Sequence, residues 1–288
     1  MVSSDFEYDA PTTVATALAA LTRGGAEARP LAGGQSLLPL MKLRLAQPPA
    51  LVDLGRISDL NYIREQGEQI QIGATTTHYQ VASSALLQRR CPVLAQAAGL
   101  IGDPMVRNRG TIGGSLAHAD PGADLPAVML ALDAQLVCTS STGARTIRAG
   151  DFFIDAYTTA LHQGELLTEV RVPATPSGSG AAYEKFPHPA SRFALTGVAA
   201  RVTVANGSIQ SAAVALTGAS TKAVRLTAVE RALTGKPAND ATVADAAAKA
   251  AEGWDPIGDF HASEEYRQHL AQVLAGRAIK AAIARATG

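Results

Sequence analysis

Two glycine-containing segments give the most direct indication of a binding site in this sequence. Residues 32–36 read AGGQS, and residues 111–115 read TIGGS. A glycine pair adopts backbone conformations closed to other residues, so a turn built on one can aim successive N–H groups outward into a concave anion site. Either pair alone is more typical of a tight connection. The two segments together indicate a ligand with two linked phosphates.

The two segments do not follow the better-known phosphate-binding templates. Neither reads G-x-G-x-x-G, and neither carries the Lys-Ser/Thr pair of a P-loop, so a Rossmann domain and an NTPase are not indicated. Asp124 follows the second segment at a spacing that suits hydrogen bonds from sugar hydroxyls. With Leu125 and Pro126 it also opens a predicted helix, and a capping role there is an equal alternative.

Composition excludes several classes of function. The 288 residues include 25 basic and 25 acidic side chains, so the formal net charge is zero. Because no basic cluster with interleaved aromatic residues is present, the sequence does not predict a nucleic-acid binder. No apolar run approaches the ~20 residues that span a bilayer, so no transmembrane segment is expected. The N-terminus lacks signal-peptide features, and we therefore expect a cytoplasmic protein.

The cysteines and histidines argue against a metal centre in this chain. Cys91 and Cys138, the two cysteines, lie in apolar surroundings and are expected to be buried thiols. An iron–sulfur cluster needs four cysteines as a rule, so this chain cannot hold one by itself. His118 and Asp120 lack a firm metal-ligand spacing and are interpreted as polar loop residues.

The elements predicted around the first glycine segment form a small α/β layer. A helix over 14–21, capped by Thr12 or Thr13, precedes a short buried strand at 29–32. That strand leads through the glycine segment into a helix over 36–45, whose free N–H groups could hold phosphate. The following predictions are a strand at 50–54 and a hairpin that pairs 62–63 with 69–72.

The elements predicted around the second glycine segment are helices followed by strands. Residues 75–100 are expected to be helical with a break at Cys91-Pro92, and a further helix begins at Asp124. A hairpin of 134–139 with 145–148 and a strand at 166–172 complete this part. Residues 173–180, rich in Pro, Gly and Ser, are interpreted as a linker.

Beyond the linker the pattern predicts strands and then helices. The strands are 181–186, 194–205 and 208–217, and the helices are 222–233, 241–250 and a long one from 263. The dipeptide Asn206-Gly207 between the last two strands is a strong signal for a tight hairpin. Strands followed by helices indicate an α+β unit.

The paired segments AGGQSLLPLMKLRL and RNRGTIGGSLAHADPGADLPA resemble the flavoprotein (medium) subunit of molybdenum hydroxylases, the xanthine and carbon monoxide dehydrogenase family. FEYDAPTTVATAL, IGATTTH, GELLTEVRVP and YEKF extend the likeness nearly end to end. The resemblance implies an α+β protein: a vanillyl-alcohol-oxidase-type (PCMH-type) FAD-binding domain of two α/β subdomains, then a C-terminal α+β domain with an antiparallel sheet and helices. The expected bounds are 1–174 with subdomains about 1–57 and 58–174, a linker at 175–180, and 181–288.

The resemblance assigns FAD-binding roles to positions throughout the chain. Residues 32–36 and 111–115 would hold the pyrophosphate, Asp124 would hydrogen-bond the cofactor, and Ile101 and Val106 would line its slot. Leu167 and Lys185 match positions near the isoalloxazine, where Lys185 would favour the reduced anionic ring. The full set is Leu31, Ala32, Gly33, Gly34, Gln35, Ser36, Leu37, Ile101, Val106, Gly110, Thr111, Gly113, Gly114, Ser115, Ala117, Ala123, Asp124, Leu167, Lys185 and Phe193.

Phe193 falls where related subunits often place an aromatic residue over the flavin ring. The equal alternative is a core aromatic residue in a strand. Gln35 departs from carbon monoxide dehydrogenases, which often have His in this position, and this weakens carbon monoxide as the substrate. An N-heterocycle or an aldehyde is the other substrate class that the resemblance implies.

The resemblance implies an oxidoreductase subunit that works through its cofactor, with no catalytic acid, base or nucleophile of its own. Its expected partners are a large subunit with the molybdopterin cofactor and a small subunit with two [2Fe–2S] clusters, commonly as a dimer of heterotrimers. Electrons would pass from the clusters through FAD to an external acceptor. A self-sufficient flavin oxidase of the same fold and a non-flavin interaction scaffold are the alternatives.

Overall fold

The first elements form a small parallel sheet that ends at the first glycine segment. In the computed structural model, which describes residues 3–288, they are β1 (Glu7–Asp9), α1 (Val14–Arg23), β2 (Arg29–Leu31), α2 (Leu37–Lys42) and β3 (Ala50–Asp53). β3 is central and pairs in parallel with β1 and β2. The strand predicted at 29–32 is present but largely exposed rather than buried, because it lies at the sheet edge.

Two local predictions in this layer are resolved by the structure. Thr13, rather than Thr12, caps α1, and its side chain forms a capping box with Thr16. The helix after the glycine segment is shorter than predicted, because it ends at Lys42 and Arg44 adopts a positive φ of 60°.

The next elements build an antiparallel sheet with a helical layer against it. They are β4 (Ile63–Gln66), β5 (Gln69–Gly73), α3 (His78–Ser83), α4 (Ala85–Arg90), α5 (Pro92–Leu100), α6 (Pro104–Arg109), α7 (Ile112–His118), α8 (Asp124–Ala131), β6 (Gln135–Ser140), β7 (Gly143–Arg148), α9 (Ala149–Phe152), β8 (Phe153–Asp155), β9 (Thr158–Thr159) and β10 (Leu166–Pro173). The sheet order is β4-β5-β10-β6-β7. Helix α6 and the short β8–β9 hairpin were not predicted.

The core of this part lies between the sheet and the helices. Leu94 of α5, Met129 of α8 and Ile72 of β5 are fully buried in one apolar cluster. Cys91 and Cys138 lie in the same cluster, so the prediction of buried thiols is confirmed. Burial raises the pKa of Cys91 to about 12 and that of Cys138 to about 11, so both thiols are protonated at neutral pH.

The C-terminal elements form a four-stranded antiparallel sheet covered by helices. They are β11 (Ser179–Pro187), β12 (Ala194–Ala205), β13 (Ser208–Thr217), β14 (Val224–Arg225), α10 (Thr227–Leu233), α11 (Asp240–Ala247) and α12 (Glu264–Thr287), with sheet order β11-β12-β13-β14. The bounds of β12 and β13 agree with prediction, and Asn206 and Gly207 both have positive φ, as their tight turn requires.

The starts of two elements in this part differ from prediction, because pairing with neighbouring strands sets them. The helix predicted from 222 begins at Thr227, because Val224 and Arg225 pair with β13. Strand β11 begins at Ser179, two residues inside the segment expected as a linker. Among residues 3–288, no helix has the length and apolar character needed to cross a membrane.

The long helix α12 packs directly on β11 and β12 through small residues. Ala275, Ala278 and Ala282 are fully buried on its sheet-facing side. At Gly180 of β11, a Cβ would overlap the carbonyl oxygen of Ala282 and lie 2.6 Å from the backbone N of Ala286. Only a glycine therefore permits this approach of helix to strand.

Replacing Gly180 with Ala should lower the free energy of unfolding by about 1–3 kcal/mol, because α12 must shift away from β11 to admit a methyl group. Urea titration followed by circular dichroism measures the change. Gly150→Ala is the matched control, since a Cβ there would meet no heavy atom of residues 3–288 within 4 Å outside its chain neighbours and its own helix backbone. Equal unfolding midpoints for the two variants would contradict the packing argument.

Candidate functional site

Both glycine segments line one cleft of about 590 Å³. Volumes of this size are typical of cofactor sites. The positions assigned from the sequence that line it are Leu31, Ala32, Gly33, Gly34, Gln35, Ser36, Leu37, Ile101, Val106, Gly110, Thr111, Gly113, Gly114, Ser115, Ala117, Ala123, Asp124, Leu167 and Phe193. Lys185 is the exception. The sequence therefore identified residues that the fold brings to a single concave surface.

The first glycine segment presents free backbone donors. Gly34 has a φ of +73°, which glycine adopts without strain. The N–H groups of Gly33, Gly34, Gln35 and Ser36 donate to no acceptor among residues 3–288. Backbone donors next to a cleft without a protein partner suit an anionic ligand that supplies the missing acceptors.

The second glycine segment is helical, and the prediction of an outward-facing amide turn is wrong there. The amides of residues 112–115 all donate to protein oxygens, of Thr76, Ala74 and Thr111, over 2.9–3.1 Å. Gly113 lies in α7 and is required for packing, because a Cβ there would lie 2.5 Å from the Cβ of Ala74. This segment contributes shape and the residue Ser115 to the cleft lining, not a row of free amides.

The two segments meet at a direct backbone contact. A Cβ at Gly33 would overlap the carbonyl oxygen of Arg109 and lie 2.7 Å from the Cα of Gly110. Glycine at position 33 therefore lets the first segment approach the residues just before Thr111. The expected convergence of the two segments on a shared cleft is confirmed.

Asp124 is held at the cleft wall by the C-terminal domain. Its side chain is 5% exposed, and it accepts hydrogen bonds from the Tyr183 hydroxyl (2.6 Å) and the Lys185 ammonium (2.9 Å). Lys185 also donates to the carbonyl oxygen of Leu100 (3.0 Å). The N-cap of α8 is Ala123 and Asp124 is the first helical residue, so the capping interpretation is wrong.

Lys185 does not line the cleft, and its position near the flavin ring stays a prediction. Its side chain runs from β11 into the interface between the domains. There the Asp124 carboxylate and the Leu100 carbonyl oxygen accept hydrogen bonds from two of its three N–H groups. The ammonium group is therefore held by Asp124, which lines the cleft, and by the Leu100 carbonyl oxygen.

Opposing effects act on the pKa of the Asp124 carboxyl. Burial raises this pKa above its ordinary value, while the Lys185 charge and the two hydrogen bonds lower it. Burial and the neighbouring carboxylate raise the pKa of Tyr183 well above its ordinary value, so its hydroxyl remains a donor. The three side chains form a buried ion pair with an additional neutral donor.

Hydrogen bonds from the C-terminal sheet to backbone carbonyl oxygens fix the segment before α8. The Thr217 hydroxyl of β13 lies 2.9 Å from the carbonyl oxygen of Pro121 and 2.8 Å from that of Ala123, so the two oxygens share its one donated hydrogen. The N–H of Ala194 donates to the carbonyl oxygen of Gly122 (3.1 Å). The C-terminal domain thus positions residues 121–124, although these belong to the other domain in sequence.

The loop between β11 and β12 supplies Phe193 to the cleft. Phe193 precedes β12 and is 46% exposed, so the core-aromatic alternative is wrong. The same loop places Ser191 and Arg192 at the cleft, and sequence reasoning did not identify them.

The other cleft residues that the sequence did not identify are Arg29, Pro30, Leu40, Ala46, Leu54, Ala74, Thr75, His78, Gly102, His118, Asp120, Thr159, Leu161, Glu165 and Leu166. Pro30 and Leu166 adjoin assigned positions, so adjacency in sequence could have found them. His78 belongs to the IGATTTH segment, whose threonines indicated a helix start but no binding role.

Comparison with known proteins agrees with this geometry. The family model described as the FAD binding domain in molybdopterin dehydrogenase matches residues 4–175, and the CO dehydrogenase flavoprotein C-terminal domain matches residues 181–282. The chain belongs to this flavoprotein family. It is an FAD-containing medium subunit of the molybdenum hydroxylases, an oxidoreductase subunit, and the expected family and mixed helix–sheet fold are confirmed.

Similar proteins act on different substrates. The carbon monoxide dehydrogenase medium chain of Hydrogenophaga pseudoflava is 41% identical, over 99% of this chain and 99% of the relative. The glyceraldehyde dehydrogenase medium chain of Sulfolobus acidocaldarius is 36% identical, over 97% of this chain and 99% of the relative. A structure of the Hydrogenophaga carbon monoxide dehydrogenase superposes with a TM-score of 0.96 at 43% identity, covering 99% of both chains. Quinoline 2-oxidoreductase from Pseudomonas putida 86 gives 0.93 at 34%, covering 100% of this chain and 99% of that one.

Replacing Gly33 with Ala should weaken FAD binding about tenfold to a hundredfold. The added methyl group would overlap residues 109–110, so forming the cleft that binds FAD would cost ~1–3 kcal/mol more. Titration of the flavin-free chain with FAD, followed by flavin fluorescence, measures the dissociation constant. Gly99→Ala in α5 is the control, since its Cβ would make only an ordinary contact at 3.9 Å. Unchanged affinity in a folded Gly33→Ala chain would argue against the convergence of the two segments on FAD.

Replacing Lys185 with Met should lower the free energy of unfolding at pH 8 by about 3–5 kcal/mol, because it leaves a buried carboxylate without its cation. Asp124 would then bind its proton more tightly in the folded than in the unfolded chain. The loss should therefore be smaller at pH 5 and grow as pH rises above the unfolded pKa of about 4. Adding Asp124→Asn should restore much of the stability, and a loss independent of pH would contradict the ion pair.

Proposed function

We propose that this chain passes electrons from the [2Fe–2S] clusters of a partner subunit to an external acceptor through FAD bound in the cleft. FAD accepts two electrons and releases them singly or together, which suits it to link one-electron and two-electron carriers. The observation that supports the proposal is the set of four amides at residues 33–36, which have no acceptor in the described part of the chain, 3–288, and share a cleft with the second glycine segment.

The cleft residues divide into groups that would hold different parts of FAD. The amides of residues 33–36, with the Ser115 hydroxyl, would bind the pyrophosphate oxygens. Apolar side chains, Ile101 and Val106 among them, would line the slot, and Phe193 would cover the ring at the mouth. These roles require binding and orientation, so the chain needs no acid, base or nucleophile of its own.

Asp124 would accept a hydrogen bond from a cofactor hydroxyl on its cleft-facing side. Its ion pair with Lys185 keeps negative charge available there, while the Tyr183 hydroxyl fixes the orientation of the carboxylate. Lys185 would act on the cofactor through Asp124 rather than by direct contact.

The proposed assembly contains a large subunit with the molybdopterin cofactor and a small subunit with two [2Fe–2S] clusters, as a dimer of heterotrimers. Cys91 and Cys138 are buried and separate, so the clusters require cysteines from another chain. The primary substrate would be oxidised on the large subunit. Carbon monoxide, an N-heterocycle and an aldehyde are the candidate classes, since relatives named for each are similar to this chain.

Purification of the tagged chain from its native cells should recover one larger and one smaller companion chain. Metal analysis should find about four iron atoms and one molybdenum for each FAD, as two [2Fe–2S] clusters and one molybdenum cofactor require. Mass spectrometry identifies the companions, and the large one would narrow the substrate.

The alternatives predict different results in the same experiment. A yellow monomer that turns over substrate without partners would indicate a self-sufficient oxidase. A colourless chain that FAD cannot reconstitute would indicate a scaffold. Either result would overturn the proposed electron-transfer function.

A further inference from the structure

His78 is a cleft residue to which the flavin assignment gave no role. It is the first residue of α3, which Thr77 and Gln80 cap through reciprocal hydrogen bonds. Its backbone N–H donates to the carbonyl oxygen of Gly110 (2.9 Å), and Thr77 forms a β-bridge with Thr111. The start of α3 is thereby joined to the second glycine segment, and the position of the imidazole is fixed relative to it.

The imidazole lies beside the point where the two glycine segments touch. A Cβ at Gly110 would lie 2.9 Å from Cδ2 and 3.1 Å from Nε2 of His78, so this edge of the ring packs against Gly110. Gly110 is the same residue that Gly33 approaches from the first segment. The absence of a side chain at Gly110 leaves room for the ring.

The two ring nitrogens of His78 differ in their surroundings. The side chain is 5% exposed, and Nδ1 is fully buried without a hydrogen-bond partner among residues 3–288. Nε2 also has no protein partner in that range, but it is not sealed from solvent as Nδ1 is. Nε2 is therefore the nitrogen that reaches the cleft.

The environment selects one charge state and one tautomer. Burial, assisted by the nearby Arg107 charge, lowers the pKa of His78 to about 4, so the ring is neutral at pH 7. A buried N–H without an acceptor is rarer and more costly than a buried acceptor without a donor. The proton therefore resides on Nε2, and the cleft receives a neutral N–H donor.

We infer that the Nε2–H group of His78 donates a hydrogen bond to an oxygen of the bound FAD, where the two glycine segments meet. This inference rests on the proposed function, because it requires FAD in the cleft. It adds a side-chain donor from α3 to the backbone donors of residues 33–36. The ligand oxygen would give His78 the polar partner that residues 3–288 do not provide.

The binding test compares two substitutions at His78 in the full-length chain. His78→Leu should weaken FAD binding about tenfold, because it removes one buried hydrogen bond. His78→Gln places an amide N–H at a similar reach and should stay within about threefold of the original affinity. Fluorescence titration of the flavin-free chains gives the dissociation constants, and circular dichroism verifies folding. Equal affinities for the Leu and Gln variants would overturn the inference.

Nitrogen NMR on the unsubstituted chain tests the same inference without a substitution. With ¹⁵N-labelled histidine, His78 should show the Nε2–H tautomer and should not titrate between about pH 6 and 8, well above its lowered pKa. FAD should shift its Nε2 resonance. An Nδ1–H tautomer, or a resonance that FAD leaves unmoved, would overturn the role of His78 while the proposed function stood. A chain that cannot bind FAD at all would overturn both.

Discussion

The close approach of Gly33 to the backbone of residues 109–110 is the constraint on which the cleft depends. It brings a loop from the small parallel sheet against the start of α7, which belongs to the helical layer of the second sheet. Without this contact, the free N–H groups of residues 33–36 would face solvent, with no opposite wall to form a cleft. Because both sides of the contact are backbone, neither can yield by a change of rotamer, so the geometry tolerates only glycine.

The two glycine segments have different roles because their backbone N–H groups have different hydrogen-bond partners. Both are Gly-Gly pairs, yet the amides of residues 33–36 lack acceptors within the described residues, whereas the amides of 112–115 all donate to protein oxygens. Carbonyl oxygens of Ala74 and Thr76 reach the second segment because the chain leaving β5 runs beside it. One segment is therefore a donor surface, and the other is a packed helix start that fixes its neighbour.

The C-terminal domain contributes to the cleft mainly through residues that it holds in place. Tyr183 and Lys185 of β11 bind Asp124, and Thr217 of β13 binds the carbonyl oxygens of Pro121 and Ala123. The buried ion pair is costly to form from water, so its contribution lies in fixing charge and orientation rather than in overall stability. Only the loop that bears Phe193 extends from this domain into the cleft itself.

The sequence by itself determined elements whose signals are local: the Asn206-Gly207 hairpin, helix α1, the bounds of β12 and β13, and the location of the two glycine segments. Resemblance extended this to about half of the residues that line the cleft. Only the tertiary structure decided which amides are free, that Lys185 binds Asp124, and that neither ring nitrogen of His78 has a hydrogen-bond partner among residues 3–288. The physical reason is that hydrogen-bond partners and burial depend on groups distant in sequence, which local propensity and periodicity do not specify.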